Sequence, residues 1–363
     1  MMRESHIAIV LGTRPEIIKL SPVIRAAESR DLPFTLIHTG QHYSEELDEV
    51  FFEELMLPRP DYNLAVGSAS QGKQTGEMLA GIEEVLTDDG ADVVLVQGDT
   101  NSVLAGAIAT AKLDPKLGHV EAGLRSYDRD MPEDINRVLT DHASDYLFAP
   151  TESAAENLHR EGVDEERVYV TGNTIVDAVQ QNRTIAADRS SVLSKLGLSE
   201  EEFVLMTAHR AENVDDRDRF VDMLAGVAQV GAEFGLPVVY PIHPRARDRI
   251  DQLDISVPDS VRLVDPLDFL DFLRLEDTAK LVLTDSGGVQ EETCILGTPC
   301  VTMRDSTERP ETVDVGANVL VGTDPAAIVD GAERMIDRSG AWPNPFGDGT
   351  AAEEILDVVV QHG

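Results

Sequence analysis

The sequence predicts an α/β protein made of two Rossmann-like domains, each with a doubly wound parallel sheet. Three observations predict this fold class. The chain has 363 residues, which is too many for one ordinary hydrophobic core. Short β-branched runs alternate with longer helical patterns from end to end, as they do in βαβ units. Polar residues follow most of these runs, and ligands of such sheets bind outside the carboxyl ends of the strands.

The strand candidates are short apolar runs spread along the whole chain. The first is followed by Pro15 and by Ile17, Leu20 and Ile24 at helical spacing, which predicts a helix through Glu28. The candidates are too many for one eight-stranded barrel. In chain order they are His6–Leu11, Phe34–His38, Val93–Gln97, Gly118–Glu121, Tyr146–Ala149, Val168–Thr171, Phe203–Thr207, Val238–Ile242, Val261–Val264, Leu281–Thr284, Cys300–Met303 and Asn318–Val321.

The domain boundary is expected between Thr171 and Ser199, where a long polar helical stretch separates two strand candidates. We therefore assign residues 1–175 to an N-terminal domain and 176–363 to a C-terminal domain. Residues 351–362 show a helical pattern. The sequence leaves open whether this last helix packs back on the N-terminal domain.

The formal charge of the chain is −37 and its pI is about 4.4. Such a charge repels nucleic acids and anionic membranes, so neither is expected as a partner. Acidic residues outnumber basic ones by 67 to 30, and lysine occurs only six times. This balance favours a halophilic protein kept soluble in concentrated salt, with an acidic mesophilic protein as the alternative.

Cysteine usage and hydropathy indicate a cytoplasmic location. The two cysteines, Cys294 and Cys300, form no CxxC motif, and no His-rich cluster accompanies them. We therefore expect no disulfide framework and no metal site. The first apolar run is too short for a signal peptide, and no run approaches the length of a membrane span.

Charged residues follow the first strand candidate. Arg14 and Lys19 stand about one helical turn apart, so both could reach a phosphate at a helix N-terminus. A capped helix with exposed cations is the alternative. The second strand candidate ends in the segment 38–43, which suits the polar wall of a pocket, although a histidine pair in a loop is more often at the surface than in a site.

Two carboxylates, Asp99 and Glu121, each close a buried hydrophobic strand candidate. Carboxylates at neighbouring strand tips are costly to bury, and their crowding raises the pKa of one of them toward the range useful for proton transfer. Both are therefore acid/base candidates, although each could instead cap the helix that follows it. Further charged or polar residues are expected near the same rim, namely Arg125, Glu133, Asn136 and Arg137.

The second half of the chain offers groups suited to a diphosphate. His209 and His243 each follow a strand candidate, where a protonated imidazole can bind phosphate or protonate a leaving oxygen. The run Ser286-Gly287-Gly288 precedes a helix whose N–H groups can close on a phosphate, and Glu292 can accept a ribose hydroxyl. The cations Arg304 and Arg309 lie beside it in sequence.

Two common nucleotide-binding motifs are missing. There is no GxGxxG after the first strand candidate and no GxxxxGK[ST]. Redox and nucleotide-triphosphatase functions are therefore disfavoured, and a diphosphate with a sugar suits the charged residues better.

Several long motifs, in order, resemble the non-hydrolysing UDP-N-acetylglucosamine 2-epimerases. This resemblance implies a glycosyltransferase-B-like pair of Rossmann domains with the active site in the cleft between them. It also implies a homodimer that interconverts UDP-GlcNAc and UDP-ManNAc without a metal or redox cofactor, by elimination of UDP to 2-acetamidoglucal and re-addition. The motifs are Gly12–Glu16, His119–Arg125, Thr171–Thr174, Ala208–Arg210, Asp285–Glu292 and Thr307–Glu311.

The resemblance also implies roles for individual residues. Asp99, Glu121 and Glu133 correspond to the acid/base carboxylates, and His209 to the residue that assists the departure of UDP. Phe272 is placed beside the uracil. The remaining substrate-binding positions are Arg14, Lys19, Arg137, His243, Ser286, Gly287, Gly288, Glu292 and Arg309.

The chain departs from many relatives where some of them bind a second UDP-GlcNAc as an activator. Ala211 follows His209-Arg210 in place of a second arginine, and Ser44 follows Gln41-His42-Tyr43. Allosteric activation is therefore left open, as is the choice between plain UDP-GlcNAc and a 3-acetamido uronic acid derivative. A hydrolysing epimerase, a glycosyltransferase and a non-catalytic nucleotide-sugar sensor are the competing functions for the same residues.

Overall fold

The computed structural model describes residues 5–41 and 45–362. It divides the chain into two compact units, each with one parallel β-sheet. The first unit comprises Met1–Ala178 together with Phe346–Gly363, and the second comprises Val179–Pro345. The prediction of two α/β domains with doubly wound parallel sheets is confirmed.

The sheet of the first unit has seven parallel strands in the order β3-β2-β1-β4-β5-β6-β7. The central strands β1 and β4 are buried along their whole length because helices cover both faces, which explains their uninterrupted apolar sequences. The strand order reverses between β1 and β4, so the loops after these two strands diverge and leave a crevice at their carboxyl ends. The strands are β1 (Ile7–Leu11), β2 (Phe34–His38), β3 (Tyr62–Asn63), β4 (Val93–Gln97), β5 (Lys116–Val120), β6 (Tyr146–Ala149) and β7 (Val168–Val170).

The helices of the first unit alternate with its strands. Thr100 and Thr151 cap two of them, each with a side-chain oxygen that accepts a backbone N–H of the first turn. A short 3₁₀ helix spans Glu165–Arg167, and a long helix then passes from the first unit into the second. The α-helices are α1 (Arg14–Ser29), α2 (Glu45–Glu54), α3 (Gln71–Asp89), α4 (Asn101–Thr110), α5 (Pro132–Ala143), α6 (Glu152–Arg160) and α7 (Thr174–Arg189).

The second unit repeats this topology with six parallel strands in the order β10-β9-β8-β11-β12-β13. Its switch point therefore lies between β8 and β11. The strands are β8 (Val204–Thr207), β9 (Val238–Pro241), β10 (Val261–Val264), β11 (Leu281–Thr284), β12 (Cys300–Thr302) and β13 (Asn318–Leu320). The helices are α8 (Val192–Leu196), α9 (Ala211–Val214), α10 (Arg217–Phe234), α11 (Pro244–Gln252), α12 (Phe269–Thr278), α13 (Gly287–Leu296), α14 (Pro310–Asp314) and α15 (Pro325–Met335).

The last helix, α16 (Ala351–His362), belongs to the first unit and packs on α1. Arg30, which follows α1, pairs with Glu353 and with Asp357, the latter at 2.7 Å. The division of the chain thus differs from the assignment of 176–363 to one domain, because the amphipathic α16 buries its apolar face against the first unit. Within the two described ranges, no helix has the length and apolar character needed to cross a lipid bilayer.

Candidate active site

The switch point of the first sheet is held together by a buried carboxyl group that the sequence interpretation did not single out. Glu16, in the first turn of α1, is 2% exposed. Its Oε2 accepts the backbone N–H of Gly12 at 2.9 Å, and its Oε1 accepts the hydroxyl of Thr100 at 2.6 Å. Glu16 therefore ties the loop after β1 to the loop after β4, next to Asp99.

Burial raises the pKa of Glu16 from 4.5 to about 7, although hydrogen bonds from Thr100, Thr13 and Gly12 oppose the shift. The neutral form loses no hydrogen bond, since a threonine hydroxyl can accept from the protonated carboxyl instead of donating to it. The folded protein thus holds a proton on Glu16 between pH 4.5 and about 7 that the unfolded chain releases.

We predict that Glu16→Gln makes the stability of the protein less sensitive to a rise in pH from 4.5 to 7.5. Because the folded pKa is raised, the wild type loses stability as the pH rises through this window, by about 3 kcal/mol in total. The free energy of unfolding of the glutamine variant should therefore increase relative to that of the wild type from pH 4.5 to 7.5. Above pH 7.5 the difference between the two should stay constant. Urea unfolding across this pH range measures the difference. The exposed Glu28→Gln on the same helix is the control, and an equal gain there would contradict the prediction.

Glu121 is the centre of a cluster of polar side chains at the carboxyl end of β5. Lys19 places its Nζ 2.7 Å from both Glu121 carboxylate oxygens, and Gln97 donates to Oε2. Asn173 donates to Oε1 at 3.3 Å. These donors come from separate elements of the unit, so the fold assembles the cluster. The sequence predicts that Lys19 contacts phosphate. In the structure Lys19 pairs with the Glu121 carboxylate.

The backbone of Glu121 is in the left-handed region, with φ of 72°. A non-glycine residue pays about 1–3 kcal/mol for this conformation, and such strain is concentrated at functional sites. Backbone N–H groups of Glu121 and Ala122 both donate to the Phe148 carbonyl at 3.0 Å, which fixes the turn. The turn directs the Glu121 side chain to Lys19.

Asp99 follows β4 and is held by α5. Arg137 forms an ion pair with its carboxylate, and Asn136 donates to its backbone carbonyl at 2.9 Å. Burial raises the pKa of Asp99 above its ordinary value; Arg137 opposes that shift, and the nearby Glu121 charge adds to it. Asp99 and Glu121 thus lie close enough for the charge of Glu121 to raise the pKa of Asp99.

A buried ion network supports the loops that carry these carboxylates. His119 places Nδ1 2.6 Å from Asp141 and Nε2 2.8 Å from the Gly98 carbonyl. Arg125 lies 2.7 Å from the other Asp141 oxygen and pairs with Glu161. Although burial alone raises the pKa of Asp141, His119 and Arg125 hold it below its ordinary value. Arg125 is not at the rim: its side chain is 1% exposed because this network neutralises it.

Other predicted residues of the first unit lie around this cluster. Glu133 is exposed in the first turn of α5, and no hydrogen bond among the described residues joins it to Asp99 or Glu121. Arg14 is half-buried, with its guanidinium 5.3 Å from the centre of the Phe51 ring. Residues 42–44, part of the predicted pocket wall, lie outside the described residues.

The switch point of the second sheet is organised by Asp285, which is fully buried after β11. Its carboxylate accepts the backbone N–H groups of His209 and Arg210 at 3.0 Å, and Asn213 donates to it at 3.2 Å. Burial alone raises the pKa of Asp285, but His209 and these donors hold it below its ordinary value. Asp285 therefore fixes the loop that carries His209.

The two predicted histidines lie side by side, with ring centres 5.6 Å apart. His209 places Nδ1 3.2 Å from Asp285, which orients the ring. His243 caps α11 by accepting the backbone N–H of Arg245 on Nδ1, at 3.2 Å. Partial burial and the neighbouring His209 lower the pKa of His243. His243 thus presents the neutral tautomer, with its Nε2–H as a donor.

A glycine-rich helix start adjoins these histidines. Ser286 caps α13, and a Cβ added to Gly287 or Gly288 would come no closer than 3.8 or 3.9 Å to a neighbouring group. Neither glycine is required by packing or by a positive φ. Gly287 is buried and Gly288 is exposed, so Gly288 provides an accessible backbone at a helix N-terminus, where N–H groups without intrahelical acceptors attract anions.

A cavity of about 210 Å³ in the second unit is lined by His209, His243, Phe272 and Ser286. Its other walls are mostly apolar, which suits a flat ring held by a few polar groups.

Arg304 and Arg309 are paired with acidic residues: Arg304 with Glu212 and Glu308 at 2.8 Å, and Arg309 with Glu291 at 2.5 Å.

Sequence reasoning missed Glu16, Asn213 and the support of Glu121 by Gln97 and Asn173. The signal that could have indicated Gln97 and Asn173 is their position, since each stands at or just after the end of a strand of the first sheet. No sequence signal links them to Glu121, because loop positions far apart in the chain meet only in the folded sheet.

Two doubly wound parallel sheets, each with charged and hydrogen-bonding side chains at its switch point, define an α/β protein with ligand sites at the carboxyl ends of its strands. The profile of one family, UDP-N-acetylglucosamine 2-epimerase, matches residues 25–360. The chain therefore belongs to the UDP-N-acetylglucosamine 2-epimerase family, whose members are isomerases.

Individual relatives agree with this assignment. The UDP-N-acetylglucosamine 2-epimerase of Methanocaldococcus jannaschii is 50% identical over 359 residues, which cover 97% of this chain and 98% of that protein. The UDP-2,3-diacetamido-2,3-dideoxy-D-glucuronate 2-epimerase of Pseudomonas aeruginosa is 41% identical over 358 residues, 98% of this chain and 99% of that protein. A crystal structure of the M. jannaschii enzyme with UDP-GlcNAc and UDP superposes with a TM-score of 0.83 over 99% of this chain and 100% of that one.

Proposed function

We propose that this protein interconverts UDP-N-acetylglucosamine and UDP-N-acetylmannosamine by inverting C2 of the sugar. The observation that carries the proposal is the assembly of Glu121, Lys19 and Asp99 at the carboxyl ends of the strands beside the switch point of the first sheet. Proton transfer requires a positioned group that accepts a proton and another that donates one. The Glu121 carboxylate beside the Lys19 ammonium group, with the Asp99 carboxyl of raised pKa nearby, meets this requirement. The family assignment supports this substrate.

The position of the C2 proton in the substrate determines how C2 can be inverted. The C2 proton is not adjacent to a carbonyl, so it is lost together with the bond from C1 to the phosphate oxygen, giving 2-acetamidoglucal and UDP. Re-addition of UDP to C1, with a proton delivered to the opposite face of C2, gives the epimer. We assign the acid/base steps to Asp99, Glu121 and Glu133.

The second unit is proposed to hold UDP. Departure of UDP leaves negative charge on the β-phosphate, which favours hydrogen-bond donors and positive charge there. His209, His243 and the backbone of Ser286–Gly288 supply donors at one switch point. Phe272, which lies in the cavity wall beside them, is proposed to pack against the uracil. Arg14, Arg137, Glu292 and Arg309 complete the proposed substrate contacts.

Proton NMR in deuterated water tests the function. With UDP-GlcNAc we expect UDP-ManNAc labelled with deuterium at C2 and little free sugar. Release of free ManNAc would indicate a hydrolysing epimerase instead. No reaction with UDP-GlcNAc but turnover of a 2,3-diacetamido uronic acid derivative would replace the proposed substrate with the modified one.

We further propose a halophilic enzyme and predict that salt stabilises it. At a charge of −37 the folded chain repels itself, and raising the salt from 0.1 M to 1 M shortens the screening length from about 10 Å to about 3 Å. The free energy of unfolding should therefore rise by several kcal/mol between 0.1 M and 2 M KCl. Urea titrations measure it, with sucrose as the uncharged control. A midpoint that stays constant over this range would contradict the prediction.

The resemblance also supports a cytoplasmic homodimer that supplies polysaccharide biosynthesis. Both cysteines are buried and free, as is usual in a reducing compartment. Light scattering tests the oligomeric state, and a homodimer should give twice the chain mass of 39.5 kDa.

A further inference from the structure

Another buried carboxyl group lies in the second unit, where the proposed activity gives it no role. Glu276, on α12, is 0% exposed. Neither of its oxygens receives a hydrogen bond from an N–H or hydroxyl group in the described part of the chain. An ionised carboxylate in such a place is strongly unfavourable, so the neutral acid is the form that the fold tolerates.

The group that Glu276 contacts is itself a carboxyl. Its carboxyl group lies beside that of Glu292 of α13. Two carboxyl groups can share a hydrogen bond only when one of them carries a proton. Burial raises the pKa of Glu276 well above its ordinary range, and the charge of Glu292 adds to that effect. Because Glu292 is only partly buried, Glu276 is the member of the pair that keeps the proton.

The position of the pair connects it with the nucleotide. Glu292 stands in α13, one turn beyond the Ser286–Gly288 helix start. Its neighbour α12 carries Phe272, one turn before Glu276, in the wall of the cavity. We therefore expect a change at Glu276 to affect Glu292, the residue assigned to the ribose.

We propose that Glu276 is a positioning residue, a neutral acid whose O–H donates to Glu292 and so orients that carboxylate to accept a ribose hydroxyl of UDP. The inference rests on the proposed function, since it takes Glu292 as the ribose contact. The pair then selects ribonucleotides, because an anionic carboxylate accepts hydrogen bonds and a deoxyribose lacks the matching donor.

Calorimetric binding of UDP, 2′-deoxy-UDP and 3′-deoxy-UDP tests the proposal. The wild type should bind UDP about tenfold or more tightly than at least one deoxy analogue. This ratio of dissociation constants corresponds to the usual free energy of a hydrogen bond to a charged group. Glu276→Gln should keep that preference, because its amide donates from the same place. Glu276→Leu should weaken UDP binding about tenfold and lose the preference, as should Glu292→Gln.

Several outcomes would overturn the proposal. Thermal melting first establishes that each variant is folded, with Glu276→Ala replacing the leucine variant if the latter is not. A folded Glu276→Leu protein with the wild-type preference overturns the role of Glu276 alone, as does a Glu276→Gln protein as impaired as the leucine variant. A wild type that binds no UDP overturns the proposed function, and this inference with it.

Discussion

Replacing Glu121 by glutamine is expected to lower kcat for C2 inversion by about 10³, within the 10²–10⁴ that a positioned acid or base typically contributes. The amide keeps the shape of the side chain but removes the charge that holds Lys19 at 2.7 Å. It also cannot take up the proton of C2. UDP affinity should change little, because the groups proposed to bind UDP are mostly in the other unit. Initial rates and deuterium incorporation followed by NMR measure the effect.

Glu156→Gln is the matched control for this prediction. It removes the same charge from the same unit, but Glu156 is exposed on α6 and pairs with the surface residue Arg160. Its turnover should equal that of the wild type. Glu121→Gln turnover close to the control would remove Glu121 from the acid/base set and leave Asp99 and Glu133 as candidates.

Replacing His209 by asparagine is expected to lower kcat by about 10²–10³, the usual effect of removing one donor from a site of developing charge. Asp285 orients the ring at 3.2 Å, so the other ring nitrogen is directed away from the buried aspartate. That nitrogen is the donor proposed for the departing UDP. Pre-steady-state formation of glucal and UDP, with saturating UDP-GlcNAc, measures the step.

His243→Asn provides the comparison, since the two rings are neighbours. Asparagine is a good helix cap, so α11 should keep its start. His243 is proposed to bind UDP without taking part in bond cleavage, and its variant should raise KM more than it lowers kcat. Equal losses of kcat in both variants would contradict the assignment of separate roles.

The sequence predicted the sheets well because buried parallel strands are continuous apolar runs. Twelve predicted strands are confirmed to within about two residues at their ends. The strand that was missed is Tyr62–Asn63, which is exposed, lies at the edge of the first sheet and has no apolar run. Its pairing with β2, and not its own sequence, makes it a strand.

The candidate site was only partly predictable. Asp99 and Glu121 could be found because each ends a buried strand, and the structure places both at strand ends. The pairing of Lys19 with Glu121 could not be predicted from the sequence, because the two residues are 102 positions apart. Arg125 was placed at the rim because an arginine is usually exposed. Glu276 was missed because a charged residue among the leucines of α12 looks like a solvent-facing position.

The return of α16 to the first unit has a consequence for synthesis on the ribosome. Residues 179–345 are a complete unit inserted within the other, so they can fold before the chain is finished. The first unit begins earlier but lacks its closing helix until the last residues emerge. At the usual elongation rates of about 5–20 residues per second, that wait lasts roughly 10–40 s. During it the face of α1 that α16 later covers is available to chaperones.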